Sequence, residues 1–488
     1  MPVTCAQMAA AEERLFASGV SAESLMDEAG EKCYRAIQQF FPIPARAIVF
    51  CGKGNNGGDA LVVARWMKRD GWHVKIEYSH GPGGLSELAQ RKQAEWEAEP
   101  TGPASKMDSS LVLVDGLLGI GATGTLRGEI LASAEKVNSL RTTEGGTCFA
   151  IDIPTGLNAD TGEASANAVV SDYTLTIAHG KIGFAADEAT PFLGRLVEIP
   201  LDIPVPEAEQ STRFLFPSSL FPRWPRRSFD FHKGSAGRVL IIAGSTGLTG
   251  AAILAALGAS RSGAGLTTVC VPEDIYPIIA SRCPAEVMVQ PVSTIREALD
   301  FPHDVVAIGP GLGHDRNRSV IEAVLHHDKP MVVDADAINA LARERISPKR
   351  LPEQRLLTPH PGELARLTQV EGSRVDIARA LAEAWGVTLL YKGSRSAIAT
   401  PGCPVEINTT GHPGMASGGM GDVLTGVCAS LVGQGVGLHD AASLGSWLLG
   451  RAAELARDTG AIAPESVSAE MVAESIGGAI RSLSQPSF

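Results

Sequence analysis

The chain alternates short, continuous apolar runs with longer amphipathic stretches. In the first half the apolar runs are "AIVF" at 47–50, "VKIEY" at 74–78, "LVLVD" at 111–115, "CFAID" at 148–152 and "YTLTIA" at 173–178. Uninterrupted apolar strands separated by helices are typical of a parallel sheet with both faces covered. The pattern therefore predicts a layered α/β domain.

A proline-rich region interrupts this alternation, from "IPLDIPVPEAEQ" to "LFPSSLFPRWPRRSF". Proline fixes φ and lacks a backbone donor, so it precludes a long helix and breaks up strands. The prolines in question are Pro204, Pro206, Pro217, Pro222 and Pro225. We interpret the region as a boundary, with a linker at 213–230 between domains at 1–212 and 231–488.

The alternation restarts after the linker, which predicts a second α/β domain. Its candidate strands are "GRVLIIAGS" (237–245), "AGLTTVCVP" (264–272), "DVVAIGPGLG" (304–313), "PMVVDAD" (330–336), "RLLTPHPGE" (355–363) and "VTLLYKGS" (387–394). Helical segments such as "AAILAALGAS" (251–260) separate them. The two halves carry different motifs, so we expect two distinct domains rather than a repeat.

Length and charge support this organisation. The chain has 488 residues, which is longer than a domain with a single hydrophobic core usually is, and 44% of them are hydrophobic. The formal net charge of -12 argues against binding to nucleic acid or to an anionic membrane surface, because polyanions would be repelled. Acidic small substrates would then need local, fixed binding groups.

Cysteine usage and the N-terminal sequence indicate the compartment. The eight cysteines are scattered, without a CxxC pair or metal-ligand spacing, which is typical of a reduced chain. The first residues, "MPVTCAQMAAAEERLF", lack the basic flank and apolar core of a signal peptide. No run approaches the roughly 18 apolar residues of a membrane span. We therefore expect a cytoplasmic protein.

A glycine-rich turn follows the first predicted strand, in "FCGKGNNGGDALVVARWMKRDG". It leads from Phe50 to Asp59 and then into an amphipathic helix. Backbone amides at such a turn, together with the helix N-terminus, can bind phosphate. The same glycines could equally form a tight turn without a ligand, and the sequence is neither a Walker loop nor a GxGxxG fingerprint.

Two aspartates end later strands of the same predicted sheet. Asp115 closes "LVLVD" and precedes the loop Gly119–Thr125, while Asp152 closes "CFAID". Carboxyl ends of parallel strands share one edge, so both carboxylates should lie near the glycine-rich turn. The alternative for each aspartate is a cap on the next turn or helix.

Three motifs in order, "CGKGNNGGDA", "VDGLLGIGATG" and "AIDIPTGLNADTG", together with "SLMDEAG", resemble the NAD(P)H-hydrate epimerase domain over roughly the first 200 residues. The resemblance implies a Rossmann-like domain in which Asp152 faces the altered nicotinamide ring as the catalytic group. It implies a potassium ion bound by Asn56, Asp115 and Thr155. Thr155 and Ala60 stand where serine and glycine are expected, and the threonine hydroxyl can still offer oxygen to a cation. The residues implied to hold the hydrated dinucleotide are Asn55, Asn56, Gly57, Gly58, Asp59, Gly119, Ile120, Gly121, Ala122, Thr123, Gly124, Thr125 and Asp152.

A second glycine cluster, "GGMGDVLTG", lies near the C-terminus. Gly418, Gly419 and Gly421 allow successive amides to point inward, and the helix that starts near Asp422 adds its positive end. Such a nest suits phosphoryl oxygens during transfer, with Asp422 as the base for an acceptor hydroxyl. The alternative is that Asp422 only interacts favourably with the helix N-terminus.

This GxGD arrangement resembles the ribokinase-like superfamily. The motifs "FHKGSAGRVLIIAGS", "IGPGLG", "VVDADAIN", "LLTPHPGEL", "YKGS" and "NTTGHPGMASGGMGDVLTG" look like the ADP- or ATP-dependent NAD(P)H-hydrate dehydratase, from about Phe231 onward. Magnesium is expected with the adenine nucleotide. The resemblance implies hydrate contacts from Ala252, Gly313, His360 and Asp422. It implies nucleotide contacts from Lys392, Gly393, Ser394, Arg395, Ser396 and Gly421.

Several of these side chains have simpler interpretations. His360 could be structural or merely exposed, and Lys392 could be a solvated strand end. Asp334 and Asp336 could influence magnesium through water or simply cap the next helix, and the sequence alone assigns them no role.

Together these features favour repair of hydrated NADH and NADPH: the first domain interconverts R and S hydrates, and the second dehydrates the S form with ADP or ATP. One alternative is a kinase for a small alcohol with a regulatory first domain. Another is a first domain that serves as a dimerisation or binding scaffold, although a scaffold would not need Asn56, Asp115 and Asp152 together. We also expect a homo-oligomer.

Overall fold

A six-stranded parallel sheet forms the centre of the first of two units, Met1–Gln210, in this computed structural model. The structure describes residues 2–104, 106–122, 124–205, 212–460 and 462–484. The strands of the first sheet are β1 Arg46–Cys51, β2 His73–Tyr78, β3 Leu111–Gly116, β4 Thr147–Ile151, β5 Tyr173–Ile177 and β6 Arg195–Ile199. Their spatial order is β2-β1-β3-β4-β5-β6.

Both faces of this sheet are covered, as the uninterrupted apolar strands predict. Val112 and Val114 of β3 join one core cluster, whereas Leu111 and Leu113 join another, because side chains alternate across a strand. The first cluster includes residues of the second and third helices and the second cluster includes residues of the fifth. The helices of this unit are α1 Cys5–Ala17, α2 Ala22–Phe40, α3 Asn55–Arg69, α4 Glu87–Ala98, α5 Gly128–Thr143 and α6 Thr190–Leu193.

A ten-stranded sheet forms the centre of the second unit, Ser211–Pro486. Its strands are β7 Thr212–Phe214, β8 Arg238–Ile242, β9 Leu266–Val271, β10 Val287–Pro291, β11 Val305–Ile308, β12 Met331–Val333, β13 Arg355–Leu357, β14 Thr388–Tyr391, β15 Ala397–Ala399 and β16 Val405–Ile407. They lie in the order β10-β9-β8-β11-β12-β13-β14-β15-β16-β7. Pairing is parallel except for β14 with β15 and β15 with β16. The predicted α/β fold class is therefore confirmed for both halves.

The helices of the second unit include a tightly packed pair. These helices are α7 Pro217–Leu220, α8 Thr249–Arg261, α9 Tyr276–Arg282, α10 Ile295–Leu299, α11 Asn317–His326, α12 Ala335–Arg343, α13 Pro361–Leu367, α14 Arg374–Trp385, α15 Met420–Gly433, α16 Leu438–Gly460 and α17 Ala469–Ser484. A Cβ at Gly258 would lie 2.2 Å from the Val423 carbonyl oxygen, and one at Gly426 would lie 2.0 Å from that of Ala255. These two glycines therefore let α8 and α15 approach closely. None of the described helices has the length and apolar character needed to cross a bilayer.

The segment predicted as a linker, 213–230, is partly built into the second unit. Strand β7 pairs in parallel with β16, and Leu220 of α7 is fully buried in the core of this unit. Arg223 donates two hydrogen bonds of 2.8 Å to the Glu406 carboxylate of β16. Pro217 is compatible with this arrangement because it opens α7, and the first turn of a helix tolerates a missing backbone donor.

Strands that the apolar pattern did not predict lie mostly at the sheet edges. They are β6, β7, β10, β15 and β16. Charged or polar residues interrupt several of them, such as Glu198 in β6 and Gln290 in β10, and three are only three residues long. A three-residue strand gives no periodicity to detect, so its existence depends on the neighbouring strand that it pairs with.

Candidate active sites

The predicted aspartates of the first unit lie at one edge of its sheet. In the parallel register Asp115 stands beside Phe50 on one side and Ala150 on the other, and Asp152 follows one residue after β4. Helix α3 begins at Asn55 near the same edge, immediately after β1 and its glycine turn. The convergence expected from strand order is therefore present.

Asp115 is fully buried and its carboxylate is hydrogen-bonded within this edge. It accepts hydrogen bonds from the backbone N–H of Thr155 at 2.8 Å, from the Thr155 hydroxyl at 2.7 Å and from the Leu117 N–H at 3.2 Å. Burial raises the pKa of Asp115 to about 6, although the hydrogen bonds from Thr155 act in the opposite direction. A cation beside this carboxylate would favour its ionised form.

Asn56 completes a connected set with Asp115 and Thr155. The Asn56 side-chain amide donates to the Leu118 carbonyl at 2.9 Å, and the Leu118 N–H donates to the Thr155 hydroxyl at 3.2 Å. The structure thus brings together the three residues predicted to bind potassium. Carboxylate, hydroxyl and amide oxygens are hard ligands, so the donor set fits such a cation.

Asp152 forms a buried ion pair that the sequence did not predict. Its carboxylate accepts hydrogen bonds from the Lys181 ammonium at 2.5 Å and from the Ile177 N–H at 3.0 Å. Lys181 is fully buried and also donates to the His179 carbonyl at 2.8 Å. Asp152 itself has φ of 62°, a left-handed conformation that aspartate tolerates better than most residues. The one available signal was a lysine in the largely apolar segment that follows β5.

A cavity of about 660 Å³ lies beside this ion pair. Glu12, Lys53 and His80, which were not predicted, add charged or polar groups to its wall, and Met8, Leu25 and Ile203 add apolar surface. The predicted residues that line it are Asn55, Asn56, Asp59, Gly119, Ile120, Gly121, Ala122 and Asp152. Such a mixture of apolar wall and convergent polar groups is typical of a small-molecule site.

Other predicted binding residues of the first unit do not line this cavity. A Cβ at Gly57 would lie 2.0 Å from the Gly52 carbonyl oxygen, and one at Gly58 would lie 2.5 Å from the Met26 side chain. Gly57 is therefore needed for close backbone packing at the turn, whereas the flexible end of the Met26 side chain is what covers Gly58. Gly124 and Thr125 line a second cavity of about 560 Å³ that shares Gly119, Gly121 and Ala122 with the first. Thr123 lies outside the described residues.

Two carboxylates of the first cavity are electrostatically coupled to Asp152. Burial, followed by the negative charges of Asp152 and Glu12, holds the pKa of Asp59 well above its usual range. Burial and the charge of Asp152 also raise the pKa of Glu12. Both shifts favour the protonated forms of Asp59 and Glu12 relative to exposed carboxyl groups.

The second candidate site surrounds the start of α15. Gly419 precedes the helix with φ of 93°, a conformation that favours glycine, and Asp422 lies in the first turn. Burial, followed by the negative charge of Asp334, raises the pKa of Asp422 to about 7. A carboxyl with that pKa can exchange a proton near neutral pH, as a general base requires.

An ion pair between a buried aspartate and a partly exposed lysine lies next to this turn. The Lys392 ammonium donates to the Asp334 carboxylate at 2.6 Å, and a Cβ at Gly421 would lie 3.2 Å from the Lys392 nitrogen. Burial disfavours the charged form of Lys392, but the carboxylates of Asp334 and Glu363 outweigh burial and raise its pKa. The sequence identified Lys392 but assigned no role to Asp334 or Glu363.

Of the residues predicted to contact the hydrate, Gly313 and His360 follow strand ends, whereas Ala252 is buried in a helix. The Gly313 N–H donates to Asp336 at 2.9 Å, and half-exposed His360 accepts a hydrogen bond from the Gly362 N–H at the start of α13. Both follow carboxyl ends of central strands, near Asp334. Ala252, in contrast, is fully buried in α8, so its methyl group supports the site from the core.

The segment from Lys392 to Ser396 forms a closed turn. The Gly393 N–H donates to the Ser396 hydroxyl at 3.2 Å, and Gly393 and Ser394 are exposed. The Arg395 side chain is buried and directed towards the Thr409 carbonyl, so its guanidinium does not present a phosphate-binding surface. Only the backbone of Arg395 remains suited to a nucleotide contact.

Known proteins resemble this chain over most of its length. The family model described as NAD(P)H-hydrate dehydratase matches residues 239–475, and the one described as YjeF-related protein N-terminus matches residues 22–183. The bifunctional NAD(P)H-hydrate repair enzyme Nnr of Moorella thermoacetica is 37% identical over 477 residues, covering 89% of this chain and 88% of that protein. The proteins of the same name from Coxiella burnetii and Escherichia coli are 36% and 35% identical, covering 91% and 90% of this chain and 92% and 86% of their own lengths.

A solved structure of the ADP/ATP-dependent NAD(P)H-hydrate dehydratase of Bacillus subtilis, co-crystallised with ATP/Mg²⁺, is 28% identical, covers 55% of this chain and 98% of its own, and has a TM-score of 0.48. The extent and identity of the full-length relatives establish the family. This chain belongs to the bifunctional NAD(P)H-hydrate repair enzymes.

Proposed function

We propose that this protein restores hydrated NADH and NADPH in two steps. The first unit interconverts the R and S hydrates, and the second converts the S hydrate to NAD(P)H while ADP or ATP becomes AMP or ADP and phosphate. The observation that carries the proposal is the start of α15, where the Asp422 carboxyl adjoins a glycine turn and the Lys392 ammonium. That combination suits deprotonation of an alcohol beside a phosphoryl group.

In the dehydration, Asp422 accepts the proton of the hydrate hydroxyl while the hydroxyl oxygen attacks the terminal phosphoryl group of the nucleotide. Amides of the glycine turn and the N-terminus of α15 stabilise the transferring phosphoryl oxygens. The phosphate then leaves the ring carbon as the ring nitrogen donates its lone pair. Loss of a proton from the neighbouring ring carbon restores the dihydronicotinamide.

Magnesium is expected with the nucleotide, where it neutralises phosphate charge. Among the described residues, no group of three or more His, Cys, Asp or Glu side chains is arranged to hold a metal. Magnesium commonly binds through one or two carboxylates, several waters and the substrate phosphates. Binding of that kind requires no all-protein cage.

In the epimerisation, the hydrate loses its hydroxyl group from the ring carbon, which leaves a cation stabilised by the ring nitrogen. The Asp152 carboxylate, fixed by Lys181, faces the cavity and stabilises this cation. Asp59 or Glu12 can carry the proton that converts hydroxide into water. Water then adds to the opposite face and returns its proton to the same carboxylate, which inverts the carbon.

A potassium ion would be held by Asn56, Asp115 and Thr155, where it would supply positive charge against the buried Asp115 carboxylate. We predict that Thr155→Val raises the potassium concentration for half-maximal epimerase rate by roughly tenfold or more, as losses of ligand-shell groups commonly do. Thr155→Ser is the matched control because it keeps the hydroxyl. Titration of the epimerase rate with KCl, in choline chloride to hold ionic strength constant, measures the difference. Equal potassium dependence for the valine variant and the unmodified protein would exclude this site.

One experiment tests both activities of the full chain. Purified protein is mixed with R and S hydrates, magnesium, potassium and either ADP or ATP, and reduced nicotinamide is followed by its absorbance. We expect recovery to continue beyond the amount of S hydrate supplied, because epimerisation feeds the dehydratase. Parallel reactions with ADP and with ATP compare the two donors.

The other outcomes identify the alternatives. Recovery that stops at the S fraction would mean that the first unit is a scaffold. A stable phosphate ester without reduced nicotinamide would mean that the second unit is a kinase for a small alcohol. Homo-oligomeric assembly and a cytoplasmic location remain predictions, which light scattering after gel filtration and cell fractionation check.

A further inference from the structure

Asp334 occupies the N-cap position of α12, but its side chain binds residues of other elements instead of capping the helix. It immediately precedes α12, yet its carboxylate makes no capping hydrogen bond to that helix. One carboxylate oxygen instead accepts from the Lys392 ammonium at 2.6 Å, and the other accepts from the Thr425 hydroxyl at 2.7 Å. Asp334 and Thr425 are almost completely buried. The carboxylate therefore connects two other elements of the site.

Those two elements carry the chemistry of the second site. Thr425 lies one turn after Asp422 on α15, and Lys392 follows β14 at the start of the predicted nucleotide segment. Lys392 has a second carboxylate, Glu363, at 3.9 Å. Asp334 thus ties the helix that bears the base to the lysine beside Gly421.

The backbone around Asp334 is held in an unusual conformation. The next residue, Ala335, has φ of 48°, which is unfavourable for alanine. A Cβ at Gly309 would lie 1.8 Å from the Asp334 carbonyl oxygen, so the backbone after β11 packs closely against the backbone of Asp334. Strained backbone persists where the surrounding structure requires it, and it occurs often at functional sites.

We propose that Asp334 is a positioning residue of the second site: it fixes the Lys392 ammonium beside Gly421 and holds its own carboxylate close to Asp422. This inference rests on the proposed dehydratase function. The charged groups that act on Asp422 are Asp334 from the end of β12, Asp336 from the first turn of α12, Glu363 from α13 and Lys392 from the end of β14. Asp334 differs from Asp336 because it also holds the lysine.

The test uses the full-length protein and S hydrate, with initial rates measured from pH 5.5 to pH 9 and at varied nucleotide concentration. Asp334→Asn removes the negative charge, so Asp422 should ionise more readily. We expect the acidic limb of kcat/KM to move down by roughly one pH unit. The nucleotide KM should rise by about tenfold or more, because the lysine is no longer fixed.

Thr425→Val is the matched control, since it removes one hydrogen bond to Asp334 and preserves every charge. It should lower kcat/KM several-fold while the acidic limb stays in place. A purely structural role for Asp334 would instead lower the rate equally at every pH. Thermal unfolding of each variant separates that case from a local effect.

Asp334→Glu keeps the test decisive if the asparagine variant does not fold. It keeps the charge but displaces the carboxylate, so we expect an unshifted acidic limb with a raised nucleotide KM. The inference is overturned if the asparagine variant keeps both the limb and the nucleotide KM of the unmodified protein, or if the glutamate variant keeps that KM. Failure of the unmodified protein to convert S hydrate would instead overturn the proposed function itself.

Discussion

Replacing Asp422 with asparagine should lower the dehydratase rate by about 10²–10⁴-fold, the usual contribution of a general base. Asparagine is nearly isosteric and stays in the first turn of α15, but it cannot accept the hydroxyl proton. Epimerisation in the first unit should be unchanged. Release of phosphate and the absorbance of reduced nicotinamide, both with S hydrate as substrate, measure the effect.

Asp376→Asn is the matched control, because Asp376 also lies in the first turn of a helix of the second unit. It should retain the rate of the unmodified protein within a factor of about two, since a favourable charge at an exposed helix N-terminus is worth only about 0.3–1 kcal/mol. If both variants lose activity equally, Asp422 acts only through the helix. Full turnover by the Asp422 variant would remove the base from the mechanism.

The raised pKa of Asp422 also predicts a pH dependence with opposite effects on rate and stability. The base must be ionised, so the rate should increase with pH with a midpoint near 7. Because the folded state binds this proton more tightly than the unfolded state, stability from this group falls as pH rises from about 4 to about 7. At pH 8 the asparagine variant should therefore have a higher Tm than the unmodified protein, as calorimetry would show.

Replacing Asp152 with asparagine should abolish catalysed interconversion of the R and S hydrates while dehydration of S hydrate continues. The ring cation would lose the carboxylate that faces it across the cavity. Chromatographic separation of the two hydrates over time, corrected for the rate without protein, measures this. Glu135→Gln, an exposed change on α5, is the control. Interconversion at the unmodified rate would refute the role of Asp152.

The buried Lys181 changes how this variant must be interpreted. Breaking a buried ion pair by removing one partner costs about 3–5 kcal/mol, since the remaining charge is left unpaired. Separating a loss of catalysis from a loss of stability therefore needs the double variant Asp152→Asn with Lys181→Met. The double variant should regain much of the Tm lost by the single one but none of the epimerisation. Recovery of both would show that Asp152 is only structural.

Much of the fold was predictable because the buried central strands have a recognisable apolar pattern within a few consecutive residues. Runs such as "LVLVD" are apolar at every position, and a strand with that pattern must be buried on both faces. Short strands such as Ala397–Ala399 have no comparable signal, because pairing with β14 decides their conformation. The segment 213–230 was predicted as a linker because its prolines restrict the local backbone. They give no indication that β7 pairs with β16 at the edge of the sheet.

The sequence by itself determined the two-part α/β organisation, the family, and the glycine turns and strand-end aspartates that we propose as the two sites. Those features depend on residue order and on the rule that carboxyl ends of parallel strands share an edge. Tertiary structure alone decided that Lys181 pairs with Asp152 and that Asp334 bridges Lys392 and Thr425. These partners lie 29, 58 and 91 positions apart. Burial and charge pairing at such separations arise from packing, for which a single sequence contains no local pattern.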